Sequence, residues 1–383
     1  MIYLLVFSLS SIFLYLAEKQ INSLNKKILT CIALLFPILL ATLRDEKVGI
    51  DVETYMKPLY LCSMRSKNIS ELFANMKAEF ALMHLDYGYA LMGYFASKIT
   101  GGLWGIFLFN SLFCILPIYF GIVKYNKYIK CDVHVGTREV PIWAAMFIFY
   151  CLFYNNSLNQ VRQIITCALL FYGLMSLLRK EYFRCIFIFL IACTFHKASV
   201  IFLYIVLLYF IAKSKHNILR IVLLFLLLVF FIFSIQIFYL GMNVLNALGL
   251  IPDKYYGEIF DKEYGQRDVN LSWLFIAVVM LLMTAINLYK NRNDVIGRFL
   301  FMITCSFLAL FNLSSYFSSF GRIQLYFMIY ASVCLPLFAT AGQSFIKESK
   351  LVSNMICVAV PLLYWFVACY LFDYTGTIPY YFI

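Results

Sequence analysis

From Ile221 to Phe233 the chain carries no polar side chain at all. A strand of a membrane barrel alternates lipid-facing and lumen-facing residues with a period of two, so an unbroken run of this kind excludes that architecture. The same feature recurs along the 383 residues, of which 63% are hydrophobic and only 13% charged. A soluble domain is about half apolar and about a quarter charged. The surface of a folded soluble chain is too large relative to its interior to hide the excess. A soluble enzyme, a nucleic-acid-binding module and a disordered chain are therefore excluded, and an all-α, polytopic membrane protein remains.

A spanning helix needs about 20 mostly apolar residues, with about 17 as the practical minimum. Runs that meet this, or nearly so, fall at 2–17, 28–43, 103–123, 140–156, 160–178, 184–196, 197–212, 218–240, 271–289, 295–313, 323–343 and 351–372. They predict about twelve transmembrane helices, with a range of eleven to fourteen, in one transmembrane domain over 1–383. The first run, Ile2–Leu16, has no basic region before it and no small-residue cleavage site after it, and reads as a retained helix. The twelve cysteines are scattered without a C-x-x-C pair or a Cys/His metal spacing, and read as small core residues.

Orientation follows from the basic loops. Segments 18–27, 124–139, 179–184, 213–220, 290–298 and 347–350 hold eighteen of the 31 Lys and Arg but only six of the 19 acids. The net charge of +12 therefore sits on one face, the cytoplasmic one, and the opposite face is balanced. Two exterior loops are long, at about 44–100 and 241–270. Within the first, 85–100 is amphipathic and ends at Gly101-Gly102. The parity of crossings between Arg44 and Lys124 makes it a re-entrant or interfacial helix that folds back at the glycines. The aromatic tail 373–383 is expected at the exterior interface.

Ionisable residues beside apolar spans are costly and so informative. On the exterior face they gather in four clusters of polar and small residues. The first runs from Arg44 through Gly49 and Asp51 to Tyr55. A solvated helix end and a polar turn over a cavity mouth both fit it. The second, 155–163, sets Asn155, Asn156, Ser157, Asn159 and Gln160 before Arg162 and Gln163. Here Asn159 or Ser157 is expected to cap the following helix. Arg162 would stand in that helix's first turn, where the dipole repels a cation and a bound anion would explain it. The third is Phe195-His196-Lys197-Ala198-Ser199. The fourth, 314–327, contains Gly321-Arg322 and Tyr326-Phe327, with Arg322 opening a helix. Arginine forks match phosphate oxygens bidentately, so the clusters suggest an exterior cavity for an anionic, lipid-linked substrate.

These clusters, in this order, resemble the EpsG family of polysaccharide polymerases, which includes many Wzy-type O-antigen polymerases. The elements that carry the resemblance are Arg44-x4-Gly49-x-Asp51-x3-Tyr55, Asn159-x2-Arg162-Gln163, Phe195-His196-Lys197-Ala198-Ser199 and Gly321-Arg322-x3-Tyr326-Phe327, over roughly 30–330. Where the family has a Glu-Pro-Gly-aromatic element, this chain has Asp86-Tyr87-Gly88-Tyr89.

The resemblance implies a glycosyltransferase of the bacterial inner membrane, active at its periplasmic face. A glycan on undecaprenyl pyrophosphate is the implied donor and a lipid-linked repeat unit the acceptor. In that scheme Arg162 and Arg322 stabilise the leaving pyrophosphate with support from Lys197. Asp51 is the first choice of base and His196 the second. Arg44, Asp86, Gln163 and Tyr326 contact substrate. No metal or other cofactor is expected, since no exterior carboxylates are closely spaced. The lipid bilayer is a partner, nucleic acid is not, and a chain-length regulator is a candidate. The alternatives are a lipid-linked oligosaccharide flippase, which should show internal repeats and mid-membrane polar residues, and an O-antigen ligase, which shares donor and topology.

Overall fold

In a computed structural model, residues 1–79, 82, 85–131, 139–249, 270–290, 292, 294–341 and 350–382 are described. Among them the structure is helical throughout, without strands, and a lone β-bridge pairs Arg44 with Phe382. The chain is an all-α polytopic membrane protein. Among the described residues, each of the twelve predicted runs falls mostly on helix; residues 342 and 343 of the run 323–343 lie outside them. Eight segments among the described residues are long and apolar enough to cross a membrane by themselves: Ile2–Lys19, Ser23–Thr42, Leu103–Cys131, Val161–Leu178, Asn217–Ala247, Leu271–Tyr289, Val295–Tyr316 and Phe320–Leu337. The other four predicted runs are helical but short or interrupted. Run 140–156 passes through a π turn at Tyr150–Tyr154, and 184–196 is the helix Tyr182–Phe195. Run 197–212 opens with a 3-10 turn, Lys197–Val200, and 351–372 ends in a π turn, Phe366–Leu371.

The chain divides into two compact units, Met1–Leu203 with Ala331–Ile383, and Tyr204–Tyr330. In the first, α1 (Ile2–Lys19) pairs with α2 (Ser23–Thr42). Helix α6 (Leu103–Cys131) lies against α9 (Val161–Leu178), and α10 (Tyr182–Phe195) covers α9 from another side. A helix apolar on every face belongs in a core, and α9 is buried over nearly its whole length. Lipid tails are as apolar as leucine, so helices here associate through close packing and polar contacts. One such contact ties α6 to the turn between α9 and α10. The buried Lys124 Nζ donates to Glu181 Oε2 at 2.6 Å and to Ser176 Oγ at 2.9 Å. Eight of the twelve cysteines, including Cys114, Cys151, Cys167 and Cys357, are buried core residues as expected, whereas Cys193 and Cys305 are half-buried and Cys31 and Cys131 are exposed, so the core reading is corrected for those four.

The second unit contains α12 (Asn217–Ala247) and the helices Leu271–Lys290, Val295–Ala309, Phe311–Tyr316 and Ser318–Met328. Little of α12 is covered by protein, and its leucines, isoleucines and phenylalanines face outward, as a lipid-facing helix requires. Most of the predicted loop 241–270 lies outside the described residues.

The other long loop differs from expectation. Residues 44–79 are largely helical, with a π turn at Val52–Met56, α3 (Lys57–Arg65) and α4 (Ile69–Ala78). Both helices are far too short to span, but each buries one face through Leu59, Cys62, Leu72 and Met76. That i, i+3, i+4 spacing supports an amphipathic helix as readily as a turn region. The helix anticipated at 85–100 is α5 (Tyr87–Thr100), and Gly101, at φ 70°, ends it.

Candidate functional site

The site grows from a break in a helix. α7 (Ile142–Phe149) runs through the π turn Tyr150–Tyr154 into α8 (Asn155–Asn159), and the path stops at Gln160 before α9 begins. A break leaves unpaired carbonyls at the end of one helix and unpaired amides at the start of the next. Residues 155–159 are buried, so these must be met from within the protein. The turn after α2 meets them. Arg44 Nη1 donates to the Leu158 carbonyl at 2.9 Å, and the Val161 amide donates to Asp51 Oδ2 at 3.4 Å. A cation thus stands at the negative end of α8 and a carboxylate at the positive end of α9. Asn159 Oδ1 accepts the Asp51 amide at 3.2 Å and holds that carboxylate in register.

Gly49 is what lets the two segments approach. Its φ is 98°, and a Cβ there would stand 2.5 Å from the Leu158 carbonyl oxygen. The capping expected from Asn159 or Ser157 is therefore corrected. Ser157 Oγ donates back to the Tyr154 carbonyl, Asn159 binds the Asp51 amide, and the cap of α9 arrives from a residue far away in sequence.

Arg162 follows in the first turn of α9. Its Nη1 donates to Asp86 Oδ2 at 3.0 Å, and the ring of Tyr55 lies 4.6 Å from its guanidinium carbon. The chain itself supplies the anions that the helix dipole calls for, so the position of Arg162 does not by itself demand a ligand. The pair is reachable, with 20% of the Arg162 side chain and 10% of that of Asp86 exposed. Asp86 is placed by the approach of α5 to the end of α10, where a Cβ on Gly88 would meet Thr194 Oγ1 at 2.1 Å. That approach also brings the exposed Lys197 within electrostatic reach of Asp86. Burial pushes the Asp86 carboxyl up from its ordinary value, against the pull of Arg162 and Lys197.

His196 closes α10 and opens the 3-10 turn, its Nδ1 accepting the Ala198 amide at 3.1 Å. A neutral ring bonded this way carries its proton on Nε2 and offers a donor there. Arg44, by contrast, is 1% exposed. Besides Leu158 it reaches Met56 Sδ at 3.6 Å, and its guanidinium lies 4.4 Å from the Phe107 ring centre. Gln163 is buried. Arg322 and Tyr326 belong to the second unit, where Arg322 is exposed and Tyr326 buried. The helix that carries them starts at Ser318, so Arg322 stands a full turn inside it rather than at its opening. The dipole argument, which fades within the first turn, does not apply to it.

The EpsG family model matches residues 27–382, a range that takes in all four clusters. The chain belongs to the EpsG family. Neither the curated proteins nor the solved structures yield a match. The EpsG family is associated with Wzy-type polymerase-like proteins, which makes this chain a membrane protein related to polysaccharide biosynthesis.

Several contacts at this EpsG site escaped the sequence reading. Tyr89 Oη accepts from Asn110 Nδ2 at 3.2 Å, and Asn110 shares Met56 Sδ with Arg44. The tail, in its described residues 373–382, folds over the turn. Gly49 donates to the Gly376 carbonyl at 3.2 Å and Asp45 to that of Tyr381 at 2.9 Å. Thr377 is buried, accepting from Tyr3 Oη through its carbonyl and from Asn155 Nδ2 through its hydroxyl, each at 2.8 Å. Trp365 Nε1 completes Asn155 at 2.8 Å. No charge or motif marks Asn110, Trp365, Gly376 or Thr377. Asn110 and Asn155 gave a signal only as amides in an apolar setting, since a buried amide must find partners.

Proposed function

We propose that this protein is an inner-membrane polysaccharide polymerase that joins undecaprenyl-pyrophosphate-linked repeat units at the periplasmic face, as in O-antigen synthesis. The acceptor's sugar hydroxyl attacks the donor's anomeric carbon, and a new C–O bond forms as the bond to pyrophosphate breaks. The hydroxyl proton passes to a carboxylate of the chain, and undecaprenyl pyrophosphate leaves with the bonding pair. The observation that carries this reading is the half-open Arg162–Asp86 pair beside the capped start of α9.

The leaving pyrophosphate gains charge in the transition state, and a fixed guanidinium aimed at it lowers the barrier. In this scheme the pyrophosphate competes with Asp86 for the Arg162 fork, and Lys197 adds charge at the rim. Asp86, released from Arg162 and raised by burial, then takes the proton. This geometry favours Asp86 over the two residues first considered as base. Asp51 Oδ2 already receives the Val161 amide, and His196 Nδ1 receives that of Ala198. Arg322 and Tyr326 are proposed to bind substrate on the strength of the family resemblance alone.

The lipopolysaccharide ladder of a deletion strain tests the function. Loss of a polymerase leaves a single repeat on the lipid core, and complementation restores the ladder. A core with no repeat would indicate a ligase, and repeats held inside the cell would indicate a flippase.

A further inference from the structure

The second unit holds a pocket of about 320 Å³. It lies between the first turns of α12, the end of the helix Leu271–Lys290 and the start of the helix Val295–Ala309. Arg220, Arg292 and Arg298 all line it, and no ion pair among the described residues engages any of them. Arg220 bonds to Asn217 Oδ1, but the buried Nε atoms of both Arg220 and Arg298 have no hydrogen-bond partner. The two guanidinium groups are close enough to repel. Asp294, whose charge acts on Arg298, has one oxygen on the Ile296 amide and the other on Asn287 Nδ2. Like charges with unmet donors, partly withdrawn from water, are unfavourable unless an anion joins them.

The rest of the lining is apolar, including Ile221, Leu224, Leu288 and Phe301. Ile221 is itself exposed on the outward face of α12. A free phosphate would satisfy the arginines and leave this apolar wall unused. A phosphate ester carrying acyl chains would use both. The two arginine-bearing segments, 213–220 and 290–298, are among the basic loops that the charge bias assigns to the cytoplasmic side, where the leaflet surface is negative.

We propose that this pocket binds the phosphate headgroup of an anionic phospholipid of the cytoplasmic leaflet, with Arg220, Arg292 and Arg298 around the phosphate and the acyl chain against Ile221 and Leu224. The site is separate from the proposed glycosyl-transfer chemistry and does not depend on it.

The test uses the full chain, purified in detergent and stripped of lipid. It is titrated separately with phosphatidylglycerol, phosphatidylcholine and inorganic phosphate, with retained lipid read by native mass spectrometry and Tm recorded in parallel. Phosphatidylglycerol should be retained about tenfold better than phosphatidylcholine and should raise Tm, because choline's own cation offsets the phosphate in phosphatidylcholine while that of phosphatidylglycerol is left to the arginines. R220Q/R298Q should lose that preference while its lipid-free Tm stays level or rises, because a repulsion has been removed. R292Q, at an exposed position that folding does not depend on, should weaken retention by about threefold. Equal retention of the two lipids overturns the proposal, as does an unchanged preference in R292Q. Stabilisation by inorganic phosphate that matches phosphatidylglycerol overturns the lipid as occupant.

Discussion

The helix broken at Gln160 has two ends, and an arginine serves each. At the end of α8, Arg44 is sealed in, pinned to the Leu158 carbonyl among aromatic rings. At the start of α9, Arg162 is partly exposed and paired with a carboxylate, which in the proposed reaction it exchanges for the pyrophosphate. Both arginines stand in polar clusters that the sequence assigns to the same face. Their surroundings divide the work. A buried cation bonded to backbone carbonyl holds the fold, whereas a partly exposed cation bonded to a side chain remains free to trade partners.

The largest effect expected is on Arg44. Arg44→Ala removes a buried side chain and leaves the Leu158 carbonyl unmet, which should cost about 3–5 kcal/mol of stability. Immunoblots of membranes should show the protein nearly gone, and any purified remainder should melt early. Normal levels with lost activity would move Arg44 into the reactive site and erase the contrast.

Arg162 should behave in the opposite way. Arg162→Lys keeps the charge and loses the planar fork, at a cost of about 2–4 kcal/mol in the transition state, or about 30- to 1000-fold in rate. Membrane levels should stay near normal for Arg162→Lys and Arg162→Ala, with a collapsed ladder for both. Full-length polymer from Arg162→Lys would end the leaving-group role. Loss of protein that Asp86→Ala rescues in the double variant would make the pair a structural strut, like Arg44.

The smallest effect is a slope with pH. The folded protein holds the Asp86 proton more tightly than the unfolded chain does, since burial outweighs Arg162. The folded form therefore binds more protons across the window from the ordinary carboxylate value up to the raised one. Stability assigned to Asp86 is greatest below that window and falls as pH climbs through it. Asp86→Asn should flatten Tm against pH over this range. An identical slope in the variant would show that another group sets it.

Much of this arrangement was legible beforehand. Gly49, Asp51, Asn159 and Arg162 were recognisable as a set, because small and polar residues beside apolar helices need a reason to be there. What they do was not legible. Asp51 caps a helix that starts 110 residues later, and no local spacing announces a cap delivered from another segment. Asp86 acquired its partner through the approach of Gly88 to Thr194, a contact between helices rather than a motif. Thr377 carried no signal, being an uncharged residue in a tail legible only as aromatic.

The sequence by itself determined the class of protein, the helical runs and the bias of charge between faces. Each of these follows from transfer free energies that act residue by residue. Whether a run is one helix or two, and whether an arginine is a strut or a ligand, was decided only by tertiary structure. A broken helix survives in an apolar interior only if distant groups meet its free carbonyls and amides. Which groups arrive, and how deeply they are buried, depends on packing between segments far apart in the chain.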